Sequence, residues 1–206
     1  MRAIWNIVGK VPIDERADEE ESQTVRLAVG SKVTYPSLGP CIIGGVVNKM
    51  VAGTSVSFYK LAVLDGSGGE LFVPVDKAQS SGLRLLLKES EIPKLLGQLK
   101  QTVTTAKDWK QRANENTKRL ISGSAFDLAE VVESLTALGD TKELSFREKL
   151  MLDKARRILV CEISEVMSET RSAAEEQVDQ ALKARKIGSI SETPNSPVSG
   201  KLSQDL

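Results

Sequence analysis

The 206-residue sequence contains no histidine and only two cysteines. Without histidine, the chain has no Ser-His or Cys-His nucleophile pair, and the commonest metal-binding side chain is missing. Cys41 and Cys161 lie in segments of different character among apolar neighbours, which favours small buried residues over a disulfide. The glycine-rich loop at 65–69 joins two predicted strands, not a strand and a helix, so phosphate binding is not indicated. The residues therefore predict a protein that is not an enzyme and carries no metal or cofactor.

Net charge and long apolar runs are also absent. The 28 basic residues equal the 28 acidic residues in number, and no apolar run reaches the roughly 18 residues of a membrane span. We therefore expect a soluble, cytoplasmic protein without a membrane partner. The charges are nevertheless unevenly distributed, because acidic residues crowd positions 14–23 while basic residues gather at 107–119 and 147–157. A neutral total can thus contain a local cationic patch.

The first half of the chain divides into an extension and a β-rich segment. Residues 1–24 are mostly polar and lack apolar periodicity, so we predict a disordered extension. Its apolar cluster can serve as a short anchor and comprises Ile4, Trp5, Ile7 and Val8. Residues 25–88 contain short β-forming runs separated by glycine and proline, with Gly53 at a turn. Several short strands with tight turns predict a small antiparallel barrel or curled sheet.

Helical signals replace the strand signals in residues 89–168. Ser90 can cap a first helix, and Gly123 is a suitable residue to end the helix that contains the second tryptophan. Ser124 resembles the start of a capping box, and Ser145 with Glu148 forms a complete one. Gly139 is expected to end the third helix. The fold prediction is therefore α+β, with a small antiparallel β-barrel followed by a compact all-helical domain. Residues 169–206 are expected to form a polar, largely disordered tail, in which Ala174, Val178 and Leu182 could extend a helix.

The stretch 107–119 contains five basic residues, two acidic residues and a tryptophan. On a helix, steps of three and four residues place four side chains on one face: Trp109, Arg112, Asn116 and Arg119. Cations bind phosphates, and an aromatic side chain between them can enter a groove or stack on a base. The alternative is a core tryptophan bordered by solvated charges. These residues alone favour the core interpretation, because large aromatic side chains dominate cores.

Motifs from both halves together resemble one family. The β-rich half contains the run LAVGSKVTYPSLG at 27–39, then YKL at 59–61 and VPVDKA at 73–78. The helical half adds matching positions at Trp109, Arg112, Asn116 and the Ser122-Gly123 pair, followed by LAEVV at 128–132. In this order and spacing, the motifs resemble the CarD/CdnL family of bacterial transcription regulators over roughly residues 25–166.

The resemblance implies a Tudor-like RNA polymerase-interacting domain, of the kind shared with the transcription-repair coupling factor. Such a domain binds the protrusion lobe of the polymerase β subunit. Where family members often carry a basic residue before the Val-Pro pair, this chain has Phe72, so a more apolar contact is expected. The residues expected at the polymerase interface are Tyr35, Pro36, Lys49, Phe72, Val73 and Pro74.

The resemblance also implies a helical domain at the upstream edge of the transcription bubble, where a tryptophan wedges into the minor groove and stabilises the open complex. DNA contact of this kind reads little base sequence. The residues expected to contact DNA are Trp109, Lys110, Arg112, Asn116, Arg119 and Arg156. A monomer is expected. A protein-only adaptor, which tethers another factor to polymerase without touching DNA, stays as the alternative function.

Overall fold

The computed structural model describes residues 27–101 and 108–190, without the side chains of 186–190. Within these ranges, the chain forms a five-stranded antiparallel sheet followed by five α-helices, so the α+β class is confirmed. The predicted extension at 1–24 lies outside the described residues, as does the chain after residue 190.

The sheet contains two long central strands flanked by shorter ones. The strands are β1 (Lys32–Tyr35), β2 (Gly39–Val51), β3 (Thr54–Val63), β4 (Glu70–Pro74) and β5 (Arg84–Leu85). Ala52 and Gly53 both have positive φ angles, as a two-residue hairpin turn between β2 and β3 requires. Alternating side chains on one face form the core, and they include Val33, Ile43, Leu61 and Val73.

The sheet is open and is not a closed barrel, so the Tudor-like barrel predicted from the sequence is not confirmed. The strand order is β4-β3-β2-β1-β5, which places β4 and β5 at opposite edges. Only Val33 and Thr34 of β1 pair with β5. A barrel needs strand tilt and stagger that bring its first and last strands into register. The two-residue β5 offers too short an edge for that closure.

The helices are α1 (Ile92–Leu99), α2 (Trp109–Ser122), α3 (Ala125–Thr141), α4 (Phe146–Met167) and α5 (Arg171–Ile190). Several local signals match the structure, because Gly123 ends α2 in a left-handed conformation and Ser145 forms the capping box with Glu148. Ser90 does not cap α1, since the N-cap position is Glu91 and has no side-chain hydrogen bond. Gly139 lies inside α3 and does not end it. The helix continues past this glycine, and Leu144 packs over it at 3.5 Å from the Cβ position.

Helix α5 corrects the expectation of a largely disordered tail from residue 169. Its side chains at steps of four, Ala174, Val178 and Leu182, are buried in the helical core. Near its end, Arg185 donates to Asp140 at 2.6 Å and lies 3.6 Å from Glu133. Ala174, Val178 and Leu182 form an apolar stripe within a mostly polar sequence, and the helical unit extends well beyond residue 168.

The two units pack against each other along α4. Arg84 donates two hydrogen bonds to the carboxylate of Glu162, at 2.7 and 2.9 Å, and a third to the carbonyl of Gly123 at 2.7 Å. The backbone of Gly39 lies against Ile158, with 3.0 Å between its Cβ position and Ile158 Cγ2. This junction fixes the sheet relative to the helices. None of the helices in the described ranges is both long enough and apolar enough to cross a membrane.

Candidate functional site

Trp109 is the first residue of α2, and 62% of its surface is exposed. Asp108 caps the helix by accepting a hydrogen bond from the Lys110 backbone. The Lys110 ammonium lies 5.7 Å from the centroid of the indole ring. An exposed indole beside a cation is suited to stacking on a base or entering a groove. Trp109 is therefore not the buried core residue that the sequence of 107–119 alone favoured.

Arg112 and Asn116 lie on the inner side of α2, with only 7% and 3% of their surfaces exposed. The Arg112 guanidinium donates to Glu148 at 3.3 Å, and Glu148 belongs to the capping box of α4. These two residues are on the predicted common face, but that face packs against the protein. They hold α2 in place beneath Trp109.

Glu148 is the anion that joins α2 to α4. Burial raises the pKa of this carboxyl, but hydrogen bonds from Ser145 and Arg112 outweigh burial and leave the pKa below its ordinary value of 4.5. Ser145 donates to the carboxylate from its backbone at 2.9 Å and from its hydroxyl at 2.7 Å. Glu148 is consequently ionised at neutral pH and balances the charge of Arg112.

The remaining two candidate arginines are paired with carboxylates elsewhere. Arg119 lies 2.7 Å from Glu130 on α3, and Arg156 pairs with Glu175 and Asp179 on α5. Of the six residues expected to contact DNA, the structure therefore brings Trp109 and Lys110 together at an exposed site. Arg119 lies farther along α2, and Arg156 faces α5.

A second exposed aromatic site lies on the edge strand β4. Phe72 is exposed, and the Lys49 ammonium of β2 lies 3.3 Å from the centroid of its ring. Within the described residues, β4 pairs with β3 alone, so its outer edge can accept another strand. Val73 points into the sheet core, while Pro74 is half-buried at the end of the strand.

Tyr35 and Pro36 are not part of this edge. Strand β1 is three strand positions from β4, or roughly 14 Å at the usual strand spacing. Pro36 instead contacts the junction, because a Cβ on Gly82 would lie 2.7 Å from its Cγ and one on Gly123 would lie 3.2 Å away. Both glycines have a φ of +81°. Pro36 therefore shapes the contact between the two units, while Tyr35 packs against the sheet core.

Two features escaped the sequence interpretation. The Arg84–Glu162 pair joins residues that are 78 positions apart, and no local signal links them. Phe146, the first residue of α4, is 80% exposed. Phe146 is not three, four or seven residues from the buried Ala155 and Leu159, so it lies on another side of α4. Helical spacing could therefore have predicted that this residue is exposed.

Neither cysteine is suited to nucleophilic chemistry. Burial raises the pKa of the Cys41 thiol to about 11, and burial also raises the pKa of Cys161. A thiol that stays protonated is a poor nucleophile. In the parts of the chain that the structure describes, no three acidic or cysteine side chains cluster in a way that suits a metal ion.

Comparison with known proteins gives matches in both units. The family model for the CarD-like/TRCF RID domain matches residues 27–86, and the model for the CarD C-terminal domain matches residues 94–179. A Bacillus subtilis (strain 168) protein named "Putative transcription factor YdeB" is 29% identical to the chain over 147 residues. That alignment covers 66% of this chain and 88% of the relative.

Proposed function

The chain belongs to the CarD family of transcription regulators, and we propose that it is a non-enzymatic bridge between RNA polymerase and promoter DNA. The β-rich unit binds polymerase, and the helical unit presents Trp109 to the DNA. The exposure of this tryptophan at the start of α2 is the observation that carries the proposal.

Polymerase docking uses the free edge of β4. The RID domain match to residues 27–86 supports a polymerase-interacting role for this unit. An edge strand supplies main-chain hydrogen bonds to a partner strand, and neighbouring side chains supply specificity. Phe72 with Lys49 over its ring forms an apolar contact flanked by a cation. We propose the protrusion lobe of the β subunit as the partner surface.

Trp109 acts at the upstream edge of the transcription bubble. An indole inserted into a partly unstacked base-pair step must leave before the DNA strands can reanneal. Its insertion therefore stabilises the open complex. A single aromatic–base stack is worth about 1–3 kcal/mol, and about 1–2 kcal/mol corresponds to a roughly five- to thirtyfold shift in equilibrium. Lys110 supplies a phosphate contact, while Arg112 and Asn116 position the helix.

The test compares Trp109→Ala with Phe146→Ala, which removes another exposed aromatic at the start of a neighbouring helix. We expect Trp109→Ala to shorten the lifetime of the promoter open complex roughly five- to thirtyfold, while polymerase affinity stays unchanged. Phe146→Ala should leave the lifetime close to that of the wild type. The lifetime is measured by competitor challenge on a promoter that the wild-type protein stabilises. An unchanged lifetime with Trp109→Ala contradicts the DNA role.

A protein-only adaptor is the second candidate, because Arg112, Arg119 and Arg156 are all paired with carboxylates of the chain. This pairing lowers the positive charge available to phosphates. Charge reversal at Lys110 separates the two functions in a gel shift with forked DNA and polymerase. Loss of the DNA-dependent shift with Lys110→Glu supports the bridge, and an unchanged shift favours the adaptor.

A further inference from the structure

An apolar cleft opens on the core-bearing face of the sheet. It has a volume of about 620 Å³, and its apolar lining comprises Leu27, Tyr59, Val75, Ala78, Leu83 and Leu85. A cleft of this size is in the range that encloses a small ligand or several side chains. The polar side chains of the lining are Asp76, Gln79 and Arg84, and Arg84 is already bound to Glu162. Because most of the lining is apolar, the cleft favours a mainly apolar occupant.

The apolar surface continues from the cleft onto the β2–β3 hairpin. Val46 pairs in register with Tyr59, and Tyr59 pairs with the core residue Val73, so the three share one face of the sheet. Val46 is 51% exposed, and Met50, four residues further along β2, is exposed on the same face. Between Val46 and Met50 on this face lies Asn48, which accepts a hydrogen bond from Ser57 at 2.7 Å. The exposed apolar positions are thus Val46 beside Tyr59 and Met50 near the hairpin turn, and exposed apolar residues next to a cleft indicate a binding site. Phe72 lies on the opposite face, so this surface is separate from the one proposed to bind polymerase.

The chain itself supplies a suitable occupant. Leu27 lies in the wall of the cleft, and its carbonyl accepts a hydrogen bond from the Tyr59 hydroxyl at 3.2 Å. The N-terminal residues are therefore attached to the chain at the wall of the cleft. They carry the apolar cluster Ile4, Trp5, Ile7 and Val8, which is separated from Leu27 by a mostly polar stretch.

The connection is long enough for this cluster to return to the cleft. Val8 and Leu27 are 19 residues apart in the sequence, and a random coil of that length spans roughly 24 Å. The width of a five-stranded sheet is roughly 19 Å. A tether of this kind gives an effective concentration on the order of millimolar, so even a weak apolar contact is populated within one molecule.

We propose that the segment 4–8 of this chain binds in the cleft and covers Val46 and Met50. A segment bound there covers the core-bearing face and not the β4 edge. Polymerase and the segment would therefore contact opposite faces of the same unit. This inference does not depend on the proposed transcriptional function.

Trp5 reports directly on the proposed contact. In a full-length Trp109→Phe protein, Trp5 is the sole tryptophan. We expect its fluorescence to be blue-shifted and several-fold less quenched by acrylamide than that of a free peptide with the sequence of residues 1–12. Val46→Lys should shift the emission toward that of the free peptide. Val51→Lys should not, because Val51 has a similar exposure of 48% but lies on the opposite face.

Each other outcome overturns the proposal. Solvent-like emission in the Trp109→Phe protein shows that the segment is not bound. Protection that disappears on dilution identifies a second copy of the chain as the partner. Protection that survives both Val46→Lys and Met50→Lys places the segment at another site. Circular dichroism verifies the fold of each variant, and Met50→Lys replaces Val46→Lys if that variant fails to fold.

Discussion

At the residue scale, the stability lost when an ion pair is broken depends on how deeply its two side chains are buried. Glu162 is fully buried at the junction, and Arg84 is its guanidinium partner. Loss of the arginine leaves an uncompensated charge in a low-dielectric site. Lys32 and Glu165 form another ion pair between the two units at 2.7 Å, but both side chains are partly exposed to water.

We predict that Arg84→Met lowers the free energy of unfolding by about 3–5 kcal/mol. The matched variant Lys32→Met should cost less than about 1 kcal/mol, because solvent screens an exposed pair. Urea denaturation of the full chain measures both effects. Equal costs in the two variants would show that the Arg84 pair is not the dominant polar contact of the junction.

The residue scale also shows what helical spacing can and cannot predict. Spacing predicted a common face for Trp109, Arg112, Asn116 and Arg119. In the structure, Arg112 and Asn116 are buried on the inner side of α2, while Trp109 is exposed at the start of the helix. Spacing could not show which side packs inward, because the same periodicity fits a solvated or a buried face. The family resemblance, and not the local residues, favoured a DNA-facing tryptophan.

At the element scale, Glu148 gives the contact between α2 and α4 a dependence on pH. Its pKa is lowered in the folded protein. The stabilisation it provides is therefore fully present above the pKa of the unfolded chain, near 4.5, and is lost as the pH falls through the lower folded pKa. Arg112 and Ser145 then lose their ionised partner.

We predict that Glu148→Gln is less stable than the wild type at pH 7, and that the difference narrows as the pH falls below about 4. Glu143→Gln is the control. Lys149 also lowers the pKa of Glu143, but this pair is exposed and screened by solvent, so the variant should change stability little at any pH. The urea midpoint measured from pH 7 to pH 3 checks both variants. A difference for Glu148→Gln that is independent of pH would contradict this assignment.

Helix boundaries were largely predictable because their signals are local. Ser145, Glu148 and Gly123 act through backbone groups within a few residues. Closure of the sheet was not predictable, because it depends on how strands that are far apart in sequence align. Alternating apolar residues indicated β1 to β4, but the same pattern fits both a barrel and an open sheet. Strand β5 has only two residues, which is too short for an alternating pattern to distinguish a barrel from an open sheet.

At the scale of the whole molecule, α5 completes the helical core. We predict that deletion of residues 171–206 destabilises the protein by roughly 3–6 kcal/mol, from the lost burial of Val178 and Leu182. Deletion of residues 191–206 leaves this core intact and should change stability little. Thermal unfolding of both truncated proteins measures the difference. Equal stability would mean that α5 contributes no net stabilisation.

The arrangement of the two units gives the proposed bridge its geometry. The β4 edge and Trp109 belong to different units, and the contacts of Arg84, Pro36 and Gly39 hold those units together. In the proposed bridge, a fixed junction would let polymerase binding place the tryptophan at one location on the DNA. The resemblance predicted both surfaces, but the junction required the structure, since its partners are far apart in sequence.

The most direct test of the bridge is to identify what position 109 touches in the promoter complex. A photoreactive amino acid replaces Trp109 in one protein and Phe146 in another, and each is irradiated with polymerase and promoter DNA. We predict that the probe at 109 cross-links to DNA at the upstream edge of the bubble, only when polymerase is present, and that the probe at 146 does not. Cross-links from 109 to protein alone would contradict the account.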